Sequence, residues 1–151
     1  MLELATRADR DAVNTLARQV HELHVAWRPD IFRMVDEIYT EERFLEAIRA
    51  RQLYVAKLNG IVVGYVLIGM KEKNSPPLVL RKILIIDELC VEKSLRSHGI
   101  GTRMMEEVQA LATAFGCTDL QLGAYPQNDE AIAFYQKCGF TIRSIDMQRK
   151  V

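Results

Sequence analysis

The sequence has little cysteine, proline or glycine, with three, four and eight residues of each among 151. Three widely separated cysteines give neither a disulfide framework nor the paired spacing of a zinc site, so a reducing compartment is expected. The low proline and glycine contents exclude collagen-like and low-complexity chains. Charge of one sign is also lacking, because 20 basic residues balance 20 acidic ones. A whole-molecule basic field for nucleic acid is therefore excluded.

Long apolar runs are absent as well. No run approaches the roughly 18 residues of a membrane-spanning helix, and residues 1–11 carry no apolar run of signal-peptide length. We therefore expect a cytoplasmic protein with no nucleic-acid and no membrane partner. The chain does contain 49% hydrophobic and 26% charged residues, which is typical of a globular protein. Its length fits a single domain, residues 1–151, with a core of its own.

Helical and strand periodicities alternate along the chain and predict the order of its elements. They predict a strand at 2–4, helices at 6–27 and 41–48, strands at 52–58, 61–70 and 78–91, a helix at 99–115, a strand at 120–124, a helix at 130–138 and a final strand at 140–147. Asn59-Gly60 is typical of a two-residue hairpin turn, and the long third run is expected to bend or bulge. The order predicts an α/β fold with one mixed sheet, antiparallel in its first half and βαβ in its second, flanked by about four helices.

Residues 91–102 carry the most informative pattern, in which a long strand ends and a helix begins on two glycines. Unpaired amides at a helix amino terminus attract anions, and glycines let a phosphate approach closely. Arg96 adds a cation. The segment lacks the Gly-Lys-Ser/Thr of a Walker loop, and Met104 stands where a dinucleotide fingerprint needs its third glycine. The glycines alone are equally consistent with simple turn geometry.

Two motifs in the carboxy-terminal half resemble the GNAT superfamily of acyl-CoA-dependent N-acetyltransferases. The family's pyrophosphate loop, Arg/Gln-x-x-Gly-x-Gly/Ala, matches residues 96–101, and its second motif matches residues 128–140. The resemblance covers residues 50–147 and implies acetyl-CoA as co-substrate. It also implies that the co-substrate is bound by Leu89, Cys90, Val91, Arg96, Ser97, His98, Gly99, Ile100, Gly101, Thr102 and Asn128.

The chemistry of acetyl transfer to an amine requires a base and an acid. Freeing the lone pair of an ammonium with a pKa near 10.4 costs roughly 4.6 kcal/mol at pH 7. Asp87 and Glu88 are the candidate bases, and strand alternation sends them to opposite faces unless a bulge intervenes. Comparison with polyamine-acetylating relatives favours Asp87. Tyr135 matches the family's acid, which protonates the leaving thiolate.

The remaining candidates are weaker. His21 and His24 lack a third metal ligand, so we expect no metal and assign them to helix packing. Direct transfer needs no cysteine nucleophile, which leaves Cys90 beside the thioester slot without a chemical role. The resemblance favours a small polyamine-like or amino-sugar amine as acceptor. A protein amino terminus or lysine is the alternative, as is a non-catalytic acyl-CoA-binding module, and the β-rich carboxy terminus suggests a homodimer.

Overall fold

The computed structural model describes all 151 residues and contains five strands and four α-helices. The strands are β1 (Leu2–Leu4), β2 (Leu53–Leu58), β3 (Ile61–Lys73), β4 (Arg81–Val91) and β5 (Asp119–Leu122). The helices are α1 (Arg10–Trp27), α2 (Glu41–Arg49), α3 (Ile100–Ala114) and α4 (Asp129–Lys137). Single 3₁₀ turns occupy Arg7–Asp9 and Lys93–Leu95. None of the helices is both long and apolar enough to cross a membrane.

The five strands form one sheet in the order β1-β2-β3-β4-β5. The first four are antiparallel to their neighbours, whereas β5 lies parallel to β4. This parallel pair is joined by α3, so the expected mixed sheet with a βαβ second half is confirmed. Asn59 and Gly60 both have positive φ, 51° and 78°, as the primed hairpin turn between β2 and β3 requires.

A β-bulge interrupts β4, as its length predicted. Leu67 lies opposite Glu88, but the next residue of β3, Ile68, lies opposite Ile86, so Asp87 is the extra residue. The pairing of β4 with β5 covers only Ile83–Ile86. From the bulge to the end of β4, one edge of the strand has no neighbour, because β5 ends where the bulge begins.

Each face of the sheet carries its own apolar core. The face covered by α3 and α4, here called the α3 face, buries thirteen residues, among them Leu84, Met104 and Val108. The opposite face, here called the α1 face, is covered by α1 and α2 and buries eleven, among them Val13 and Phe44. The two cores fix β4 from both sides and hold its open edge in place.

The predicted final strand at 140–147 is wrong. Residues 140–151 form neither strand nor helix, and the apolar side chains of this carboxy-terminal tail are exposed: Ile142 by 72%, Ile145 by 79% and Met147 by 92%. The local pattern favours a strand, but a strand also requires an edge with which to pair. Within this chain the tail makes no backbone hydrogen bond beyond the one from the Phe140 amide.

Candidate active site

The amino terminus of α3 presents a run of free backbone donors. Gly99 caps the helix in the left-handed region, with φ of 82°, and the first helical bond runs from the Arg103 amide to its carbonyl at 3.0 Å. The six preceding amides, from Ser97 to Thr102, donate no hydrogen bond within the protein. A helix amino terminus with so many free donors is suited to an anionic group such as a pyrophosphate.

Arg96 is tied to the end of β4. Its Nε donates to the Val91 carbonyl at 3.1 Å, which ties the guanidinium to the strand end that precedes the free amides. The His98 imidazole contacts the loop's own backbone, with Nδ1 2.8 Å from the Arg96 carbonyl. The histidine side chain therefore stabilises the loop, and its amide belongs to the free run.

Gly101 joins the two motifs in space. A Cβ at this position would lie 3.2 Å from Phe134 Cζ and 3.7 Å from Val91 Cγ2. The missing side chain thus lets the first turn of α3 approach α4. Close packing between the helices is a second reason for glycine here, beside the approach of a phosphate.

The open edge of β4 offers backbone groups of alternate residues. The Glu92 amide donates to the Val63 carbonyl of β3 at 2.8 Å, so alternation turns the groups of Leu89 and Val91 away from β3. The Val91 carbonyl accepts from Arg96, which leaves Leu89 with both groups free. Leu89, Cys90 and Val91 were expected to bind the arm of the co-substrate. Of these, Cys90 turns its backbone groups toward β3 and away from the open edge.

The Cys90 thiol is a core group. It is 3% exposed, and its Sγ donates to the Leu16 carbonyl at 3.6 Å. Burial raises its pKa to about 11, an effect that Arg96 opposes. A thiol with this pKa stays protonated near pH 7, so it is a poor nucleophile.

The bulge turns both candidate bases toward the α1 face. Glu88 Oε2 accepts from the Tyr39 hydroxyl at 2.6 Å and from the Tyr65 hydroxyl at 2.9 Å, and both phenols belong to that core. Asp87 Oδ2 lies 3.4 Å from the point where a Cβ on Gly69 would stand. The two acids therefore do not lie on opposite faces: the bulge is the stated exception to alternation, because one extra residue shifts it.

Tyr135 lies in α4 and packs against the α3 face between Phe134 and Phe140, at ring-centroid distances of 5.5 and 6.0 Å. Burial, and then the nearby Cys138 and Cys90 thiols, raise the pKa of its phenol. The Tyr135 hydroxyl makes no hydrogen bond within the protein, so the proton is available to a ligand.

Asn128 is the amino-terminal cap of α4. Its Oδ1 accepts from the Ala131 amide at 3.2 Å, as expected of Asn at this position. The Nδ2 group makes no hydrogen bond within the protein. The cap therefore orients the side-chain amide while leaving its donors free.

Sequence reasoning missed the groups around Glu88, namely Tyr39, Arg43 and Tyr65, and it missed Asn14, which holds Tyr39. Asn14 is 4% exposed on the apolar face of α1, and a polar residue there was the available signal, because a buried amide needs partners. Its Oδ1 accepts from the Tyr39 amide at 2.8 Å and its Nδ2 donates to the Tyr39 carbonyl at 3.0 Å. Nothing in the sequence indicated that Tyr39 in turn contacts β4.

His21 and His24 lie in an aromatic cluster. The His24 ring stacks on Phe32 at a centroid distance of 5.0 Å and contacts Tyr125 at 5.4 Å. His21 Nε2 lies 2.7 Å from the Arg33 carbonyl. No group of three or more potential metal ligands is present.

The fold and this cleft define a class. A mixed sheet that opens at a bulge, beside a helix with six free amides, is the architecture of an acyl-CoA-dependent transferase. The acetyltransferase (GNAT) family model matches residues 17–140, so the chain belongs to the GNAT acetyltransferase family. It is an acyl-CoA-dependent N-acetyltransferase, as its motifs indicated.

Solved structures have a similar fold. A mutant of the BH1408 protein from Bacillus halodurans is 29% identical and has a TM-score of 0.94, covering 100% of this chain and 99% of that one. An aminoglycoside N-acetyltransferase, AAC(6')-Iy, in complex with CoA has a TM-score of 0.71 at 15% identity, with full coverage of both chains. Glucosamine-6-phosphate N-acetyltransferase from Arabidopsis thaliana has a TM-score of 0.71 at 19% identity, covering 99% of this chain and 97% of that one. The last two show the shared fold.

Proposed function

We propose that the protein transfers the acetyl group of acetyl-CoA directly to a primary amine of a small, cationic, polyamine-like or amino-sugar molecule. The observation that carries this proposal is the position of the bulge. Asp87 and Glu88 stand at the point where β4 loses its neighbour, so two carboxylates border the open edge. Two adjacent negative charges favour an acceptor that carries positive charge.

Each group of the cleft has a role in this proposal. The amides from Ser97 to Thr102, with Arg96, bind the pyrophosphate of the co-substrate, and the open edge of β4 at Leu89 binds its arm. The Asn128 amide donates to that arm from the facing loop. The six amides and the Asn128 Nδ2 group fit the ligand, because they are donors without partners in the protein.

The reaction breaks the thioester C–S bond and forms an amide C–N bond. Asp87 accepts a proton that the amine must lose, directly or through a water molecule. Tyr135 donates a proton to the departing sulfur. An ammonium loses two protons on its way to an amide: the first goes to Asp87 before the attack, and the second leaves the nitrogen of the tetrahedral intermediate for solvent water. Asp87 then passes its proton to solvent and Tyr135 regains one from solvent, so each turnover releases one proton and leaves the amide and the thiol neutral.

The experiment is a panel of amines incubated with acetyl-CoA, with free thiol as the readout. The panel contains polyamines, amino sugars, peptides with free amino termini and lysine peptides. Release of thiol with the first two groups supports the proposal, and release with peptides alone points to a protein acceptor. Coenzyme A binding without thiol release from any amine indicates a non-catalytic binding module.

We also propose that the protein is a cytoplasmic homodimer. All three cysteines are free, which favours a reducing compartment, and we place the protein in the cytoplasm on that ground. The exposed apolar tail is the basis for a homodimer.

A further inference from the structure

The Glu88 carboxylate is held by groups from three separate elements. Oε2 accepts two hydroxyls, from Tyr39 in the segment before α2 and from Tyr65 in β3. Oε1 has a single cationic neighbour, Arg43 Nη2 in α2, at 3.9 Å. That separation is longer than a hydrogen bond, so one carboxylate oxygen is saturated and the other is free to bind a donor.

Both tyrosines donate to Glu88 as neutral phenols. Tyr39 is fully buried and Tyr65 is 2% exposed. Burial, and then the charge of Glu88, raise the pKa of both phenols, so they stay protonated at any physiological pH. A phenol hydroxyl that donates to a carboxylate oxygen fixes the orientation of that carboxylate.

The position of Tyr39 is itself fixed by the core. Asn14 binds the backbone of Tyr39 on both its amide and its carbonyl, and the Tyr39 ring packs on Phe44 and Tyr65. The Arg43 guanidinium lies 4.7 Å above the same ring. A phenylalanine at either position would fill the same space, so apolar packing alone does not require the hydroxyls.

Asp87 has none of these partners, since it forms no hydrogen bond and no ion pair. The charged and titratable groups around the two carboxylates come from every neighbouring element. They are Arg43 of α2, His24 of α1, Lys71 and Tyr65 of β3, Tyr39 of the segment before α2 and Cys90 of β4. Of the cations among them, only Arg43 lies within ion-pair distance of either acid.

We propose that Tyr39 and Tyr65 are positioning residues, which hold Glu88 as a fixed anion that binds a second ammonium group of the acceptor through Oε1. This inference rests on the proposed function. The side chain of Arg43 is 51% exposed, so it can move aside when a substrate ammonium takes its place. Glu88 then binds the acceptor while Asp87 accepts the proton, and diamines are preferred over monoamines.

The test compares 1,4-diaminobutane with butylamine, which has the same carbon chain but one charge. Steady-state kinetics are measured for the wild type, Tyr39→Phe, Tyr65→Phe and the double variant. We expect the double variant to raise the KM for the diamine about tenfold, equal to about 1.4 kcal/mol. The turnover number, the KM for acetyl-CoA and the KM for butylamine should each stay within about twofold.

Two controls make the result decisive. Tyr54→Phe removes a hydroxyl that has no hydrogen bond in the protein, on the α3 face, and should leave both amines unaffected. Glu88→Gln keeps the shape of the side chain and should lose the diamine preference, as the double variant does. It therefore tests the inference even if the double variant folds poorly. If the two tyrosine hydroxyls had only a structural role, their removal would lower the melting temperature and impair the reaction with both amines equally.

The outcomes separate this inference from the function on which it rests. An active wild type whose diamine KM is unchanged by the Tyr→Phe substitutions and by Glu88→Gln overturns the inference alone. A wild type that acetylates butylamine as efficiently as the diamine also overturns it. A wild type that releases thiol with no amine overturns the proposed function and this inference together.

Discussion

Asp87 and Glu88 are neighbours in the sequence but have different surroundings. Glu88 accepts two hydrogen bonds from buried phenols, whereas Asp87 accepts none. Burial, and then the charge of Glu88, raise the pKa of Asp87, and Lys71 opposes them. A carboxylate with a raised pKa and no competing donor is the better proton acceptor near neutral pH.

This difference predicts two distinct pH profiles. In the wild type, kcat/KM should rise with pH as Asp87 loses its proton, in a range above 3.8, the ordinary value for aspartic acid. Asp87→Asn should abolish this rise and lower kcat by about 10²-fold. Glu88→Gln should move the rise to lower pH, because a negative neighbour is removed. If both variants keep the wild-type profile, neither residue is the base.

Tyr135 provides a second prediction at this scale. Tyr135→Phe keeps the ring contacts with Phe134 and Phe140 but removes the proton donor. We expect kcat to fall by about 10²-fold while coenzyme A affinity, measured by calorimetry, stays unchanged. Tyr54→Phe is the matched control. A turnover number equal to that of the wild type would remove Tyr135 from the mechanism.

Asp9 has a structural role that can be measured through its titration. Although burial raises its pKa, the Thr6 amide at 2.8 Å and Lys57 at 3.1 Å lower it below the ordinary value. Its contribution to stability is therefore present above its unfolded pKa and is lost as pH falls through the lower folded pKa. Asp9→Asn should reduce the free energy of unfolding at pH 7 by about 1–3 kcal/mol.

Urea denaturation at several pH values checks this prediction for Asp9. The difference between wild type and Asp9→Asn should shrink as the pH falls below 3.8, the ordinary value for aspartic acid. Asp36→Asn is the control, since Asp36 is exposed and forms no ion pair. Equal effects of the two substitutions at pH 7 would contradict the role assigned to Asp9.

At the scale of elements, the bulge in β4 decides the chemistry of the cleft. The length of the apolar run predicted that β4 would bulge, and periodicity predicted the order of the helices and of the first five strands. The face of each acid could not be predicted, because one inserted residue reverses the alternation after it. The hydrogen-bond partners of Glu88 could not be predicted either, since Tyr39 and Tyr65 are 49 and 23 residues away in the sequence.

The contrast between β5 and the tail shows a second limit of sequence patterns. Both segments alternate apolar and polar residues, but only β5 lies beside a free edge of β4. An alternating pattern shows which side chains would share a face of a strand. Whether the strand forms depends on a sheet edge with which its backbone can pair. The two GNAT motifs could be recognised in the sequence because the spacing within each motif is local.

The contact between α3 and α4 provides a prediction for Gly101. Gly101→Val should weaken coenzyme A binding more than tenfold, over about 1.4 kcal/mol, because a side chain would stand at the free amides and press on Phe134. Gly101→Ala in a Phe134→Leu background relieves the contact with the ring. Affinity that stays low in this double variant, measured by calorimetry, indicates a direct block of the phosphate. Full recovery would assign the effect to helix packing.

At the scale of the whole molecule, the cleft exists because β4 has a neighbouring strand on both edges along only part of its length. One half of the strand lies between β3 and β5, and the other half has β3 alone. The cores on the two faces hold this second half rigid without closing its edge. A net charge of zero is compatible with binding a pyrophosphate, because the free amides and Arg96 act over a few ångströms.

The exposed tail predicts how whole molecules associate. Its side chains include Ile142, Ile145 and Met147, which are exposed and not buried by other residues of the same chain. The strand β5 is paired on one edge only. A second copy would cover both, since exposed apolar side chains and an open strand edge each favour association.

We therefore expect a homodimer at micromolar concentration in sedimentation velocity. Replacing Ile142, Ile145 and Met147 together by serine should give a monomer that keeps its melting temperature, because these side chains contribute nothing to the core of their own chain. Ile61→Ser is the control, since Ile61 is similarly exposed, by 68%, but lies at the start of β3 and not in the tail. A wild type that sediments as a monomer would contradict the prediction, as would a dimer that persists after the triple substitution.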